Sequence, residues 1–283
     1  MKASLVVIAL GLLVTPMAAQ GPAPAQQNAA QAPTPRLASG KPDLTGSWQG
    51  AGGGLQGSGG DMFRRCTPFQ SKQCMEWTNQ SEDWVFMSAT RLDERQPLYK
   101  PEHWDKIIEL DQWTNKYDPV MTCLPLGIPR QGPPARIFHT DNDISMIYRG
   151  GVDGAGGYAE FRMIPVDGKP HDPRRALQYT YMGYTVGRWE GDTLVLDSIG
   201  FSDETWLGRG GWFHSDQMRV IEKFTRTGNQ MLYEVTVEDP EVLVKPWVMP
   251  ARTLRLSNNP AIVAERGSCT ESELKEVSTQ FRH

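Results

Sequence analysis

Apolar and polar residues alternate most regularly between residues 181 and 239, where the pattern predicts two successive β-hairpins. The first hairpin turns at Glu190-Gly191-Asp192 and the second at Thr227-Gly228-Asn229. Both turns are short, polar and contain glycine, which is typical of tight hairpin connections. We therefore expect the core, and any active pocket, to be built on these two hairpins.

One acidic residue interrupts the apolar face of the strand predicted over residues 216–226. Side chains alternate between the two faces of a strand, so Glu222 shares a face with Val220 and Phe224. Burial would raise the pKa of this carboxylate unless a cation or hydrogen-bond donors held it ionised. Either state suits a general acid or base. The structural alternative is an ion pair with an arginine of a neighbouring strand, such as Arg188, or a strand end that is already hydrated.

The rest of the chain predicts further strands and one helix. Strands are expected over residues 43–49, 135–140, 144–149, 158–166, 242–249, 252–256 and 261–266. In the strand over 158–166, Ala159, Phe161 and Met163 fall on one side. A helix is predicted over residues 101–113, with proline in its first turn and acidic residues early. About ten strands in antiparallel order with one helix favour a closed barrel or a sandwich.

The segment 117–134 contains five prolines, which exclude both a helix and a central strand. We expect it to cover a barrel mouth, where Cys123 would pin it.

The ends of the chain differ in composition from its centre. Residues 1–19 combine Lys2, a short apolar run and small residues, which predicts a secretory signal peptide. Residues 20–41 are mostly Ala, Pro, Gln and Gly and predict a disordered linker. Residues 42–283 are then a single domain, and the protein is expected to be periplasmic or secreted, with no membrane span after signal removal.

Charge narrows the range of partners. The net charge is −4 and the two signs are interspersed, so nucleic acid and anionic membranes are poor candidates. Nine Trp and eight Tyr favour an aromatic-lined pocket, although an ordinary β core would also use them. A small apolar or aromatic molecule is the expected partner; the oligomeric state is not readable.

All four cysteines, Cys66, Cys74, Cys123 and Cys269, lie in the part predicted to be exported. An even number in an oxidising compartment suggests two disulfides, and proximity favours Cys66 with Cys74 and Cys123 with Cys269. A four-thiolate zinc site is the alternative, but the spacing lacks C-x-x-C pairs.

No nucleophile elbow, H-E-x-x-H helix, dinucleotide fingerprint or phosphate loop occurs in the sequence. The best candidates for acid–base chemistry are Glu222, His214 and Asp203. His214 and Glu222 are eight residues apart, roughly 26 Å along an extended strand, so they would not touch directly. A loop that folds back over the barrel mouth, carrying Asp203 or Trp206, would have to complete a site.

Several other residues are candidates for substrate binding. Arg188 stands beside Trp189 at a hairpin turn, either as a surface cation on an indole or pointing inward to neutralise Glu222 or a substrate carboxylate. Tyr184 shares a strand face with Arg188, and Phe224 shares one with Glu222. The candidate substrate-binding set is Arg188, Tyr184, Trp189, Trp206 and Phe224.

Two H-x-D elements, His139 to Asp141 and His214 to Asp216, could together supply two imidazoles and two carboxylates to a metal. The pattern is short and common, and Asp141 is expected in a turn, so no metal or other cofactor is predicted.

The segments GRWEGDTLVLD, HSDQMRVIEKFTR and YEVTVEDPEVLVKPW carry a resemblance to a group of exported bacterial hypothetical proteins. As a group these resemble lipocalin-type, or calycin-like, β-barrels. The resemblance implies export and a β architecture. With the helix and the proline-rich segment described above, the expected fold is an antiparallel barrel of about 8–10 strands with one short helix and a proline-rich cover segment. The resemblance implies no activity. Residues 266–271, RGSCTE, depart from the aromatic-rich Cys/His ending of that group.

The leading functional hypothesis is a secreted, cofactor-independent enzyme of the lyase or isomerase type that acts on a small apolar or aromatic molecule. Glu222 and His214 would exchange protons, while Arg188 or Tyr184 would orient an oxygen. The alternatives are a lipocalin-like carrier, in which the same residues only orient a ligand, and an envelope structural protein with a filled interior.

Overall fold

The computed structural model describes residues 33–50, 97–112, 117–119, 124–148, 160–208 and 211–258. One α-helix and ten strands are defined in this part of the chain. They are β1 (Gly46–Gly50), α1 (Trp104–Gln112), β2 (Arg136–His139), β3 (Asp143–Ile147), β4 (Phe161–Pro165), β5 (Tyr184–Glu190), β6 (Thr193–Ile199), β7 (Arg219–Thr227), β8 (Gln230–Glu238), β9 (Trp247–Val248) and β10 (Arg252–Ser257). Short 3₁₀ turns cover Pro101–His103 and Arg175–Leu177.

The strands form one mainly antiparallel, nearly closed sheet, as the sequence predicted. Its order is β4-β3-β2-β1-β10-β8-β7-β6-β5, and β9 pairs with β8 off this path. The two end strands, β4 and β5, lie beside each other without forming a ladder. The result is a lipocalin-like barrel with a seam between β4 and β5. No helix in the described ranges is long and apolar enough to span a membrane.

The two predicted hairpins form four consecutive strands, β8-β7-β6-β5, at one end of the sheet order. β5 pairs with β6 around Gly191 and β7 pairs with β8 around Gly228, and both glycines have positive φ, 62° and 57°. That conformation is cheap for glycine and strained for other residues, so these two positions define the turns. Along β7, burial alternates with a period of two, and Glu222 lies on the buried face as predicted.

One strand prediction needs correction. Residues 242–249 were expected to be extended throughout, but only Trp247–Val248 form a strand. The cause is Asp239, whose carboxylate accepts the backbone N–H groups of Glu241 and Val242. Those hydrogen bonds form a turn directly after β8. They occupy backbone N–H groups that a strand starting at residue 242 would need for pairing. The strand expected over residues 261–266 lies outside the described residues.

The helix prediction is confirmed, with Pro101 opening a single 3₁₀ turn before α1. Ile107, in the middle of α1, is fully buried and belongs to the hydrophobic core. The segment just before the helix is attached to the barrel because Tyr99 forms a bridge with Leu243 and donates its hydroxyl hydrogen to the carbonyl of Phe213.

The proline-rich segment is irregular, as predicted, and its described residues are largely buried. Arg130 and Asp118 form a buried, two-pronged ion pair at 2.7 Å. Gly127 has a φ of 69° and packs so closely that a Cβ there would lie 2.7 Å from the carbonyl oxygen of Tyr181. The segment therefore packs on the chain that leads into β5. Cys123, like Cys66, Cys74 and Cys269, lies outside the described residues, so the predicted pinning and both disulfides stay predictions.

The predicted linker ends earlier than expected. Within residues 33–41, Arg36 makes an ion pair with Asp192 at 2.6 Å, and Thr34 accepts the backbone N–H of Gly228 at 2.9 Å. This part of the chain therefore binds the two hairpin turns at one end of the barrel. Composition could not reveal these contacts, because the partners lie far away in sequence.

Candidate ligand-binding seam

Glu222 lies at the centre of a polar network inside the barrel. Its carboxylate is fully buried; one oxygen lies 2.7 Å from Nη1 of Arg162, and the other accepts the hydroxyl of Tyr233 at 2.9 Å. The Arg162 contact is close but lacks hydrogen-bond alignment, so it is an ion pair rather than an aligned hydrogen bond. A buried carboxylate is tolerated only with such compensation.

Arg162 connects this carboxylate to two other strands. Its guanidinium donates to the hydroxyl of Tyr148 from Nε, at 2.9 Å, and from Nη2, and lies over the Tyr148 ring at 5.2 Å. Nη1 also lies 3.4 Å from the hydroxyl of Thr185, which is hydrogen bonded to Ser198 at 2.8 Å. The network therefore reaches from β4 and Tyr148, the residue after β3, to Thr185 on β5 and Ser198 on β6.

Burial and charge act together on these groups. Burial opposes the charge on Arg162, yet the Glu222 carboxylate and Tyr148 raise its pKa above the ordinary value, so it stays a cation. Burial raises the pKa of Tyr233, and the nearby Glu222 carboxylate adds to this effect. Burial likewise raises the pKa of Tyr148. Both tyrosines therefore serve as neutral hydroxyl groups.

The arginine that neutralises Glu222 is Arg162, and the suggestion of Arg188 was wrong. Arg188 lies on the outer face of β5, about half exposed, and pairs with Glu190 at 2.8 Å. Tyr184 is on that outer face as well, whereas Thr185 and Gly187 are buried on the inner face. Of the two orientations considered for Arg188, the structure shows the outward one, and Tyr184 shares that face.

The burial pattern of β4 explains why Arg162 was missed. In β4 the apolar residues Phe161 and Met163 face outward and are 67% and 70% exposed. Arg162 and Ile164 face the interior. The larger apolar residues therefore mark the solvent face of β4, and their pattern does not point to Arg162 as an interior residue. The sequence did contain one usable signal: Arg162 shares its side of the strand with the β-branched residues Ile164 and Val166. The structure shows both of these residues to be buried.

The seam is where this interior network comes near solvent. At one end it is narrow: the N–H of Gly168 donates to the carbonyl of Gly187 at 3.0 Å, and a Cβ on Gly187 would lie 2.9 Å from Val166. Elsewhere it holds a cavity of about 250 Å³. The lining residues are Phe161, Arg162, Met163, Ile164, Pro165, Arg175, Thr180, Met182, Gly183, Tyr184 and Thr185.

The wall of this cavity contains polar groups from both sides of the barrel. Arg162 and Thr185 belong to the interior network, while Arg175 and Tyr184 lie on the outer side. The Tyr184 ring packs edge-on against His171 at 5.3 Å, and the Arg175 guanidinium lies over the same ring at 4.7 Å. The cavity can thus offer a cation, hydroxyls and apolar side chains to a single small molecule.

His214 is buried, and its hydrogen-bond partners are not members of this network. One ring nitrogen is hydrogen bonded to the hydroxyl of Thr205 at 2.7 Å and the other to the carbonyl of Ser215 at 2.8 Å. Burial lowers the pKa of His214, an effect that the Ser215 carbonyl and the charges of Asp239 and Asp203 partly offset. The imidazole is therefore neutral and held on both sides.

Glu222 and His214 have no shared partner. Among the described residues, no hydrogen bond, ion pair or ring contact joins Glu222 to His214 or Asp203. Asp203 is exposed but close enough to act electrostatically on His214. The predicted proton exchange by Glu222 and His214 stays a prediction that these contacts do not address.

The remaining candidate residues are distributed over the barrel. Phe224 is in the core against Tyr233, with ring centroids 4.9 Å apart. Trp189 stacks on His139 at 5.6 Å near the hairpin-turn end. Trp206 is buried and bridges to Phe213. Tyr184 is the one member of the predicted substrate-binding set that lines the seam cavity.

The two H-x-D elements are separate in the fold. Nδ1 of His139 lies 3.3 Å from the backbone N–H of Leu44, and Asp141 accepts the N–H of Ser39. His214 is hydrogen bonded to Thr205 and Ser215. Asp216 accepts a hydrogen bond from the hydroxyl of Tyr179. Within the ranges that the structure describes, no three His, Cys, Asp or Glu side chains are grouped as metal ligands.

Fold and cavity together define a lipocalin-like antiparallel barrel with a polar pocket at its seam. Comparisons of the chain with protein-family models, with curated proteins and with solved structures found no match in any of the three. The resemblance noted from the sequence motifs therefore stays a prediction, and the function has to be argued from the geometry.

Proposed function

We propose that this protein binds a small molecule at the seam between β4 and β5, as an exported carrier or sensor-type binding protein. The observation that carries the proposal is the seam cavity, where Arg162 and Thr185 of the buried network meet Arg175 and Tyr184 of the outer side. Polar groups that converge on one concave site are typical of ligand sites.

The size of the cavity limits the ligand. Ligand pockets usually measure roughly 300–1,000 Å³, and this cavity is about 250 Å³. The ligand is therefore smaller than a typical drug-sized molecule. The barrel interior itself is filled by large buried side chains such as Trp48, Phe224 and Tyr233, which supports placing the ligand at the seam rather than on the barrel axis.

Binding is favoured over acid–base catalysis for a geometric reason. A general acid or base must come within hydrogen-bond reach of its substrate. Glu222 is fully buried behind Arg162, and His214 is engaged on both nitrogens. The lyase or isomerase hypothesis remains as the alternative, and it requires that a substrate reach these groups.

A fragment screen by ligand-observed NMR tests the proposal. The intact protein is expected to bind small carboxylates or amphipathic aromatics with about one site per chain. Thr180→Trp, which places an indole in the cavity wall, should abolish that binding. Val248→Trp is the matched control, since Val248 is 65% exposed and belongs to β9, which is paired to β8.

Two results would count against the proposal. Equal binding by Thr180→Trp and the unaltered protein would place the ligand elsewhere, and the absence of any bound fragment would remove the carrier function. The recovered fragments should also be analysed for chemical change, because consumption of a fragment would favour the enzyme alternative instead.

A further inference from the structure

Two arginines line the seam cavity, and they differ in whether an acidic side chain neutralises their charge. The charge of Arg162 is compensated at 2.7 Å by Glu222, whereas Arg175 makes no ion pair in the part of the chain that the structure describes. None of the residues that line the cavity is acidic. The nearest acidic residue along the chain, Asp172, uses its carboxylate to accept the backbone N–H of Arg174 at 2.8 Å. The cavity therefore has one uncompensated positive charge.

Arg175 contacts the ring face of Tyr184, and this contact leaves the N–H groups of the guanidinium available for hydrogen bonds. The guanidinium lies over the ring face at 4.7 Å, an arrangement that orients the planar group by cation–π attraction. No side-chain hydrogen bond from Arg175 occurs within the described residues. A planar guanidinium matches a carboxylate in a two-pronged pair that an ammonium cannot form.

The edge of β4 adds further donors. Tyr148 donates its N–H to Glu160, and Val166 donates to Asn142, so the even-numbered residues of this strand bond toward β3. Backbone groups alternate sides in an antiparallel strand. The N–H groups of Phe161 and Met163 therefore point away from β3, toward the seam.

The rim of the cavity is apolar on one side. Phe161 and Met163 expose about two-thirds of their surface beside the cavity, and Met182 lines it as well. Exposed aromatic and methionine side chains next to a lone cation suit a ligand that carries an apolar or aromatic body on an anionic group.

We propose that the ligand of the seam is a small monocarboxylate with an aromatic or apolar body, and that Arg175 binds its carboxylate. The inference rests on the proposed function, since it assigns a ligand class to the same cavity. The carboxylate pairs with the Arg175 guanidinium at the mouth, and the ligand's body packs on Phe161 and Met163.

Calorimetric titration with benzoate and with benzamide, its neutral near-isostere, tests this assignment. Benzoate is expected to bind at least about tenfold more tightly than benzamide, and its affinity should fall as salt is raised, because an exposed charge pair is screened. Arg175→Gln should reduce benzoate affinity by about tenfold or more and leave benzamide binding unchanged. Arg174→Gln is the matched control: the neighbouring arginine is exposed and does not line the cavity.

The possible results separate the two proposals. If both probes bind to the same extent, or if Arg175→Gln binds benzoate as tightly as the unaltered protein, the carboxylate assignment is overturned while the binding site stands. If neither probe binds and Thr180→Trp changes nothing in the fragment screen, the proposed function fails as well. If Arg174→Gln and Arg175→Gln lose benzoate affinity equally, the loss reflects the positive charge of the surface in general. That result would overturn the specific role of Arg175. If inorganic phosphate competes as strongly as benzoate, the site recognises any anion, and the proposed organic body is wrong.

Discussion

The wall from β5 to β8 and the seam between β4 and β5 are made of similar strands, but their backbone groups find different partners. Within the wall, β6, β7 and β8 are each paired with a strand on both sides. At the seam, two strand edges face each other and are joined at one end by the Gly168 to Gly187 bond. The same interior network is sealed behind the wall and reaches a cavity at the seam. Backbone pairing thus decides where the interior network of this barrel reaches a cavity.

The largest effect is expected from Arg162, which lies on β4 at the seam and contacts Glu222 and Thr185 of the wall. Arg162→Met leaves Glu222 buried without its cation, and removing one partner of a buried ion pair costs about 3–5 kcal/mol. Denaturant unfolding should show this loss. In Arg162→Met combined with Glu222→Leu, much of the stability should return, because neither charge is left unpaired. Equal stability of the single and double variants would mean that the ion pair is not what the network depends on.

The next effect concerns the narrow end of the seam. A Cβ on Gly187 would lie 2.9 Å from Val166 and 3.1 Å from the carbonyl oxygen of Pro165. Gly187→Val should therefore force β4 and β5 apart and cost about 1–3 kcal/mol in the free energy of unfolding. Gly187→Ala should cost less, since its methyl group demands less room. A valine variant as stable as the unaltered protein would show that the seam opens freely, in contrast to the paired wall.

A pH-dependent effect is expected from the buried histidines outside the seam. Burial lowers the pKa of His214 and of His139, so the unfolded chain binds these protons more readily than the folded protein. Their contribution to stability is complete above about pH 6.5, the ordinary value, and is lost as pH falls below it toward the lowered native pKa.

Unfolding experiments between about pH 7.5 and 5 measure this loss directly. His214→Asn should show a shallower decline in stability than the unaltered protein, and combining it with His139→Asn should make the decline shallower still. An unchanged slope in the double variant would contradict the assignment to these two imidazoles.

The smallest effect is expected on the outer face of the wall. Arg188 and Glu190 form an exposed ion pair, and such pairs contribute about 0–1 kcal/mol. Arg188→Ala should therefore change unfolding little and leave benzoate binding intact. A loss comparable with that of Arg162→Met would return Arg188 to the role that the sequence first suggested for it.

Local sequence determined the elements of the barrel. Alternation and the two glycine turns predicted the β5–β6 and β7–β8 hairpins, and the proline and acidic residues of the first turn predicted α1. The burial of Glu222 followed from the same alternation. These features depend on residues a few positions apart, whose geometry is set by the strand or helix itself.

Tertiary structure decided the site. The partner of Glu222 is 60 positions away on β4. Phe161 and Met163 of β4 face solvent, and periodicity alone did not show which face of that strand is buried. The cavity arises because β4 and β5, neighbours in space at the ends of the sheet order, do not pair. The sequence shows which residues are apolar and which are charged. Closure of the whole sheet decides which strand edges meet and which charges come together.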